Sequence, residues 1–239
     1  MPKLLIKLDH VASLREARRA KEPDPILAAS LAELAGADGV VVHLRNDRRH
    51  IKERDLELLR QTVKSHLTIE ITPTQEMLRL VRQIKPDRVM LVPERPDEIT
   101  IESGLDVVRS RDMLSKELPL LQESGIEVGV FLDPDVDQVK AAHKLNTKVV
   151  HLNFLRCALA KTDAEREIQR SSLVLVAGAA KKLYLNVGLS HALTYADLRS
   201  RDIRGCKDFD EFVVGYAVMA RAMMLGMDRA VRELVDLVK

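Results

Sequence analysis

Val41-Val42-His43-Leu44-Arg45-Asn46-Asp47-Arg48-Arg49-His50 passes from an apolar run into a burst of charge. Gly36-Ala37-Asp38-Gly39 precedes it and supplies a turn. Val40, Val41 and Val42 are β-branched and read as a buried parallel strand. Period-2 alternation sends His43 and Arg45 to one face at the strand's end. Arg48, Arg49 and His50 follow in the loop. Taken alone, Arg48 reads as a solvated side chain. His43 and Arg45 together, at the carboxyl end of a buried strand, predict an anion-binding and proton-transfer site.

The same grammar recurs outward from this stretch. Strands are expected at 3–8, 67–71, 88–92, 128–132, 148–153, 183–187 and 211–214 besides the valine run. Helices are expected from Pro23-Asp24-Pro25 through Ala35, over 53–64, over 73–84 with Thr72 as cap and Pro73 in the first turn, and over 110–124 with Pro119 as a kink or break. Further helices follow at 135–145, 162–182, 194–200, 217–226 and 228–238. The basic stretch 15–21 reads as a loop or short helix. Eight short strands alternating with helices over 239 residues predict an α/β fold, a (β/α)8 TIM barrel with extra helices, as one domain over 1–239. An open doubly wound sheet is the alternative, although no Gly-rich fingerprint follows the first strand. The polar segment 94–106 is too long for a plain connection and reads as a functional loop.

Composition narrows the class. With 38 basic and 36 acidic residues, net +2, the chain is too balanced for a nucleic-acid-binding surface. Cys157 and Cys206 have neither metal-ligand nor redox spacing, which fits a reducing compartment. Met1-Pro2-Lys3 leads straight into a strand without a signal-peptide core, and no apolar run reaches membrane-span length. A cytoplasmic protein with no nucleic-acid or membrane partner is expected.

A barrel gathers the carboxyl ends of its strands at one mouth, so candidate groups can be collected by strand. The first offers Asp9 and His10. The second offers His43, Arg45 and, in its loop, His50. The third offers Glu70 between Ile69 and Ile71, where a lone carboxylate is costly unless paired and burial would raise it toward a useful base. The sixth offers His151 and Asn153, and the loop after the seventh offers His191. After the eighth, Gly215 opens a helix whose free N–H groups make a phosphate seat, or is simply a tight turn. Arg18 reads either as an anion ligand or as part of a solvated basic face with Arg15 and Arg19. His66 and His143 read as surface residues.

Asp9-His10-Val11-Ala12-Ser13-Leu14-Arg15, Pro23-Asp24-Pro25, Ala35-Gly36-Ala37-Asp38-Gly39, His43-Leu44-Arg45, Asp47-Arg48-Arg49-His50 and Gly104-Leu105-Asp106 occur in an order and spacing that resembles the pyridoxine 5′-phosphate synthase family over nearly the whole length. The resemblance implies a (β/α)8 barrel with added helices, assembled as a homo-oligomer from dimer up to octamer. It implies a transferase of vitamin B6 biosynthesis that uses no metal or organic cofactor. The reaction condenses 1-deoxy-D-xylulose 5-phosphate with 3-amino-2-oxopropyl phosphate to pyridoxine 5′-phosphate, phosphate and water. By position, it makes His43 and Glu70 proton acceptors and His191 the proton donor, with His151 where the family stabilises transition-state charge. Asp9, His10, Arg45, His50 and Thr100 would hold the deoxyxylulose phosphate. Lys7, Arg18, Ala192, Gly215 and Tyr216 would hold the amino-ketone phosphate.

The chain departs from the family pattern on one side. The family has asparagine at Lys7, glutamate at His151, a histidine-threonine-glycine run at Asn153-Phe154-Leu155, glycine at Ala192 and Gly-His at Gly215-Tyr216. Two residues are inserted before the donor, giving Asn186-Val187-Gly188-Leu189-Ser190-His191. Lys7 either supplies a point charge for phosphate or pairs with Asp9. The departures leave open a paralogue that keeps the sugar-phosphate half-site with another second substrate, or that only binds a phosphometabolite. A metal-dependent sugar-phosphate epimerase or hydrolase, with His10, His43, Glu70 and His191 as ligands, is a more distant alternative.

Overall fold

A computed structural model of the protein describes residues 1–200, 203 and 205–239. Eight parallel strands close into a barrel in sequence order: β1 (Lys3–Lys7), β2 (Gly39–His43), β3 (Leu67–Ile71), β4 (Arg88–Leu91), β5 (Glu127–Leu132), β6 (Val149–Asn153), β7 (Asn186–Ser190) and β8 (Glu211–Val214). Closure comes from β1 pairing with both β2 and β8. The predicted barrel is therefore the fold. No helix among the described residues is long and apolar enough to cross a membrane.

Alternation explains why the strands read as nearly continuous apolar runs. In β3, Leu67, Ile69 and Ile71 face outward into the main core, while Thr68 and Glu70 are buried on the other face. Leu4, Ile6 and Leu8, and Val40, Val42 and Leu44, do the same on β1 and β2. Each aliphatic side chain fully buried this way contributes roughly 1.5–3 kcal/mol against exposure. Two smaller apolar clusters lie apart from that core: Leu5, Val41 and Val213, and Met90, Val92, Ile101, Phe131 and Val149. Polar groups occupy the rest of the inward face, which is what leaves chemistry at the mouth.

The helices are α1 (Asp9–Ala17), α2 (Pro25–Leu34), α3 (Glu53–Thr62), α4 (Gln75–Ile84), α5 (Val107–Glu123), α6 (Val136–Lys144), α7 (Leu155–Leu159), α8 (Asp163–Lys182) and α9 (Tyr195–Arg199), followed by helices Tyr216–Leu225 and Met227–Val238. Four expectations shift. The basic stretch 15–21 belongs partly to α1, which starts at the end of β1. Thr74, not Thr72, caps α4 by accepting from Met77 N–H at 3.3 Å, and Pro73 stays outside the helix. Helix α5 begins at Val107 and runs on through Pro119, because buried Leu114, Leu118 and Leu121 pin both halves to the core. Strand β7 lies at Asn186–Ser190 rather than 183–187. Helix α8 ends at Lys182, and Tyr184 turns the chain with φ 59°, so Leu183 to Leu185 are spent reversing direction.

Candidate active site

The inward positions at the ends of β1, β2 and β3 bring four ionisable groups together. His43 and Glu70 are register partners on adjacent strands. The Lys7 ammonium donates to Glu70 Oε2 and lies 3.3 Å from Asp9 Oδ2. Asp9 Oδ1 in turn accepts from His43 N–H at 2.7 Å, fixing the end of β2 against the start of α1. Burial pushes the Lys7 amine down, but Glu70 and Asp9 override it and hold it above its usual range. Lys7 is therefore an ammonium, and it pairs with Glu70 as well as with the Asp9 partner the sequence offered. His43 is 3% exposed; burial, then the charges of Lys7, His50 and Arg45, hold it well below the usual imidazole range, so it is neutral near pH 7.

Beside this cluster lies a cation built for an anion. Arg45 is 2% exposed, with Nη2 donating to Arg95 O at 3.1 Å and lying 3.5 Å from Glu94 Oε1. Its Nε and His43 Nε2 have no hydrogen-bond partner among the described residues. His50 Nδ1 accepts from Ile51 N–H at 2.8 Å, which leaves Nε2 as the N–H of the neutral ring. Arg15 corrects the solvated-face expectation. It is buried, forms a two-pronged pair with Asp55 at 2.8 and 2.7 Å, and donates to His50 O at 3.2 Å. A sequence reading could not see that Asp55, forty residues away, waits for it.

The opposite arc differs. His191 and Ala192 both take left-handed backbone, φ 69° and 56°, which swings the imidazole over Phe131 at a ring separation of 4.1 Å. Ser190 Oγ lies 3.1 Å from its Nδ1, and burial with the field of Lys7 holds it well below the usual imidazole range. His151 lies on β6, close enough for its charge to bear on His191. It is buried with Nε2 on Glu211 Oε1, and Glu211 also receives Arg88 Nη1, whose Nε binds Glu127 Oε2 at 2.6 Å. Burial alone would raise Glu211, yet His151 and Arg88 hold it at about 2. The His151 Nδ1 is buried with no hydrogen-bond partner among the described residues. Gly188 in β7 leaves room for the His151–Glu211 pair, since a Cβ there would meet His151 Cδ2 at 2.4 Å.

Asn153 donates to Glu102 O at 3.1 Å and to Asp133 Oδ1 at 3.0 Å, tying the long loop to β6. Arg49 holds the same loop from the other side through Pro96 O and Glu98 O. Thr100 is exposed on it, while Ile101 plugs into the Phe131 cluster. Gly215 caps the helix Tyr216–Leu225 beside Lys7 and His10, and a Cβ there would press on both at 3.2 Å. Tyr216 meets the His10 ring edge-on at 5.7 Å. Arg18 is exposed at the end of α1. Of the two supposed surface histidines, His143 is exposed, but His66 is half-buried with Nδ1 3.3 Å from Thr68 Oγ1. The residue the sequence reading missed is Glu94; its place just beyond β4, inward like Arg45 beyond β2, was the available signal.

Among the described residues, Asp9, His43 and His50 have ligand atoms within 4.8 Å of one another. This is not the set His10, His43, Glu70 and His191 expected for a metal. The Lys7 ammonium, shared with Glu70, stands 3.3 Å from the one carboxylate of this trio.

Residues 4–239 match the family described as pyridoxal phosphate biosynthesis protein PdxJ. The chain is 46% identical over 238 residues to the pyridoxine 5′-phosphate synthase of Syntrophobacter fumaroxidans, covering 100% of this chain and 99% of that one. It is 45% identical over 234 residues to the enzyme of the same name from Synechococcus sp. (98% and 97% covered). Among solved structures, phosphoribosylanthranilate isomerase from Thermotoga maritima superposes with a TM-score of 0.61 at 13% identity, covering 100% of this chain and 98% of that one, a likeness of fold alone. With the match running from β1 to the last residue, the chain belongs to the PdxJ family.

Proposed function

We propose that this protein is a pyridoxine 5′-phosphate synthase, joining 1-deoxy-D-xylulose 5-phosphate to 3-amino-2-oxopropyl phosphate with release of phosphate and water. The observation that carries the reading is the convergence of Lys7, Asp9, His43, Arg45 and Glu70 on one mouth in a chain of this family. Arg45, His50, His10 and Asp9 take the sugar phosphate and its hydroxyls, with Thr100 brought in by the loop. Gly215, Lys7, Arg18, Ala192 and Tyr216 form the seat for the amino-ketone phosphate.

The chemistry matches these groups. Imine formation, phosphate elimination and ring closure each move protons between carbon and oxygen or nitrogen, and each positioned acid or base contributes roughly 10²–10⁴-fold. Glu70, 1% exposed beside an ammonium, is a carboxylate that can take a proton without meeting bulk water. His43 and His191 are neutral, and a phosphate dianion set against them raises both toward the range where a proton is exchanged. The loop 94–106 excludes water from the imines. A homo-oligomer in the cytoplasm, joined through exposed apolar side chains such as Leu27, Leu34, Met223 and Met224, completes the proposal.

The test is a coupled assay with both substrates, following pyridoxine 5′-phosphate by mass. Product above a Glu70→Gln control is the expected result. No product, with the sugar phosphate still bound by calorimetry, would transfer the protein to a different second substrate.

A further inference from the structure

The geometry points to Glu94 as the residue that orients His43, fixing its imidazole as the Nε2–H tautomer so that Nδ1 presents the lone pair that accepts the proton. The inference rests on the reading of His43 as proton acceptor and adds a positioning residue to it. Glu94 follows β4 by three residues, and its side chain is 7% exposed. Its carboxylate is held from two neighbouring strand ends. Asn46 N–H donates to Oε1 and Oε2 at 3.2 and 3.1 Å, Asn46 Nδ2 to Oε2 at 3.2 Å, and Thr72 Oγ1 to Oε2 at 3.3 Å. The Arg45 guanidinium adds a charge at 3.5 Å. A carboxylate held by this many donors does not wander.

Its Oε2 lies 4.0 Å from His43 Nε2, a buried nitrogen with no hydrogen-bond partner among the described residues. The His43 main chain is pinned from the other side by Asp9. A neutral imidazole carries one N–H, and the nitrogen that faces an anion keeps it, because a lone pair there would be repelled. The separation is beyond direct hydrogen-bond range, so the bias is electrostatic, and it acts in a buried site where such fields are least screened. Glu94 thus relates to His43 as an orienting carboxylate relates to any catalytic imidazole. It also steadies Arg45, so the anion ligand and the base are set by one side chain.

Long-range 1H–15N spectra of protein labelled at histidine test this directly, with the His43 signals assigned by their loss in His43→Gln. Protonated Nε2 is expected in the wild type. In Glu94→Ala the two tautomers mix and kcat falls about 10- to 100-fold, the range seen when a group orienting an imidazole is removed, with a smaller rise in KM. Glu94→Gln keeps the length of the side chain but loses its charge, so the tautomers mix and kcat falls there as well; if the alanine variant does not fold, the wild-type and glutamine spectra decide. A wild-type ring protonated at Nδ1, or a tautomer unmoved in Glu94→Ala, overturns the inference. The spectra do not depend on turnover. An inactive protein with Nε2–H would therefore sink the synthase reading, and leave standing only the orientation of His43 by Glu94.

Discussion

Around the mouth, the arc from β1 to β4 carries Lys7, Asp9, His43, Arg45, Glu70 and Glu94, mostly buried and linked in a chain of contacts through Lys7, Asp9 and Glu94. The arc from β6 to β8 presents His191, Ala192 and Tyr216, and beneath it His151 of β6 and Arg88 of β4 both bind Glu211 of β8. The first arc stores ionised groups where a substrate can meet them. The second has Glu211 tying β8 to β4 and β6, and offers backbone and ring edges above it. A buried charge near reacting atoms can be used only if its partner leaves it room, and that is what separates the two arcs.

The largest expected effect lies in the first arc. Glu70→Gln should lower kcat by about 10³-fold, within the span a positioned base supplies. Sugar-phosphate affinity measured by calorimetry should stay within about threefold, because the charge-assisted anion ligands are untouched. Retained turnover would remove Glu70 from the chemistry and with it the contrast between the arcs.

The second arc should fail by unfolding instead. Glu211 is held at about 2 against an ordinary 4.5. A carboxyl depressed in the folded state contributes stability above its unfolded value and loses it as pH falls from 4.5 toward 2. The loss is on the order of 3 kcal/mol. Denaturant titrations across that window should show it, and Glu211→Gln should flatten the dependence while lowering stability at pH 7, since it leaves Arg88 and His151 short of a partner. An unchanged acid limb in that variant would mean the pairs contribute nothing.

Arg45→Ala comes next. Losing a hydrogen-bonded charge costs about 1.5–3 kcal/mol, which is about 10- to 100-fold in sugar-phosphate affinity. KM for the amino-ketone should change less than about threefold. Equal losses for both substrates would erase the division into two half-sites.

How much of this was legible beforehand follows the same division. The barrel and most of its strands could be read because period-2 alternation is local, and Leu67-Thr68-Ile69-Glu70-Ile71 declares its two faces unaided. His43, Arg45 and Glu70 follow from that alternation. What could not be read depended on partners distant in sequence: Asp55 for Arg15, Glu211 for His151, Asn46 and Thr72 for Glu94. Strand β7 was misplaced because Leu183 and Leu185 look like strand residues, and only the left-handed Tyr184 reveals that they turn the chain. Gly188 lies inside that strand, where a missing Cβ lets His151 and Glu211 meet.

The smallest expected effect tests the second arc at its surface. Tyr216 is 72% exposed at the first turn of its helix, edge-on to His10 and next to the Gly215 cap. If the amino-ketone phosphate sits at this helix start, Tyr216→His adds a ring N–H donor beside the free backbone N–H groups and should lower KM for that substrate about two- to fivefold, as a weak added contact at a helix N-terminus would. An exposed substitution should leave stability within about 0.5 kcal/mol, so thermal melts of the two proteins should overlay and a change in KM can be assigned to binding. kcat should not move, because the exposed ring is packed on His10 and is expected to act on binding alone. A KM indifferent to the substitution would place the second phosphate elsewhere on this arc. The left-handed turn at His191 and Ala192 would then be the place to look, since its backbone is already held open by Phe131 beneath the imidazole.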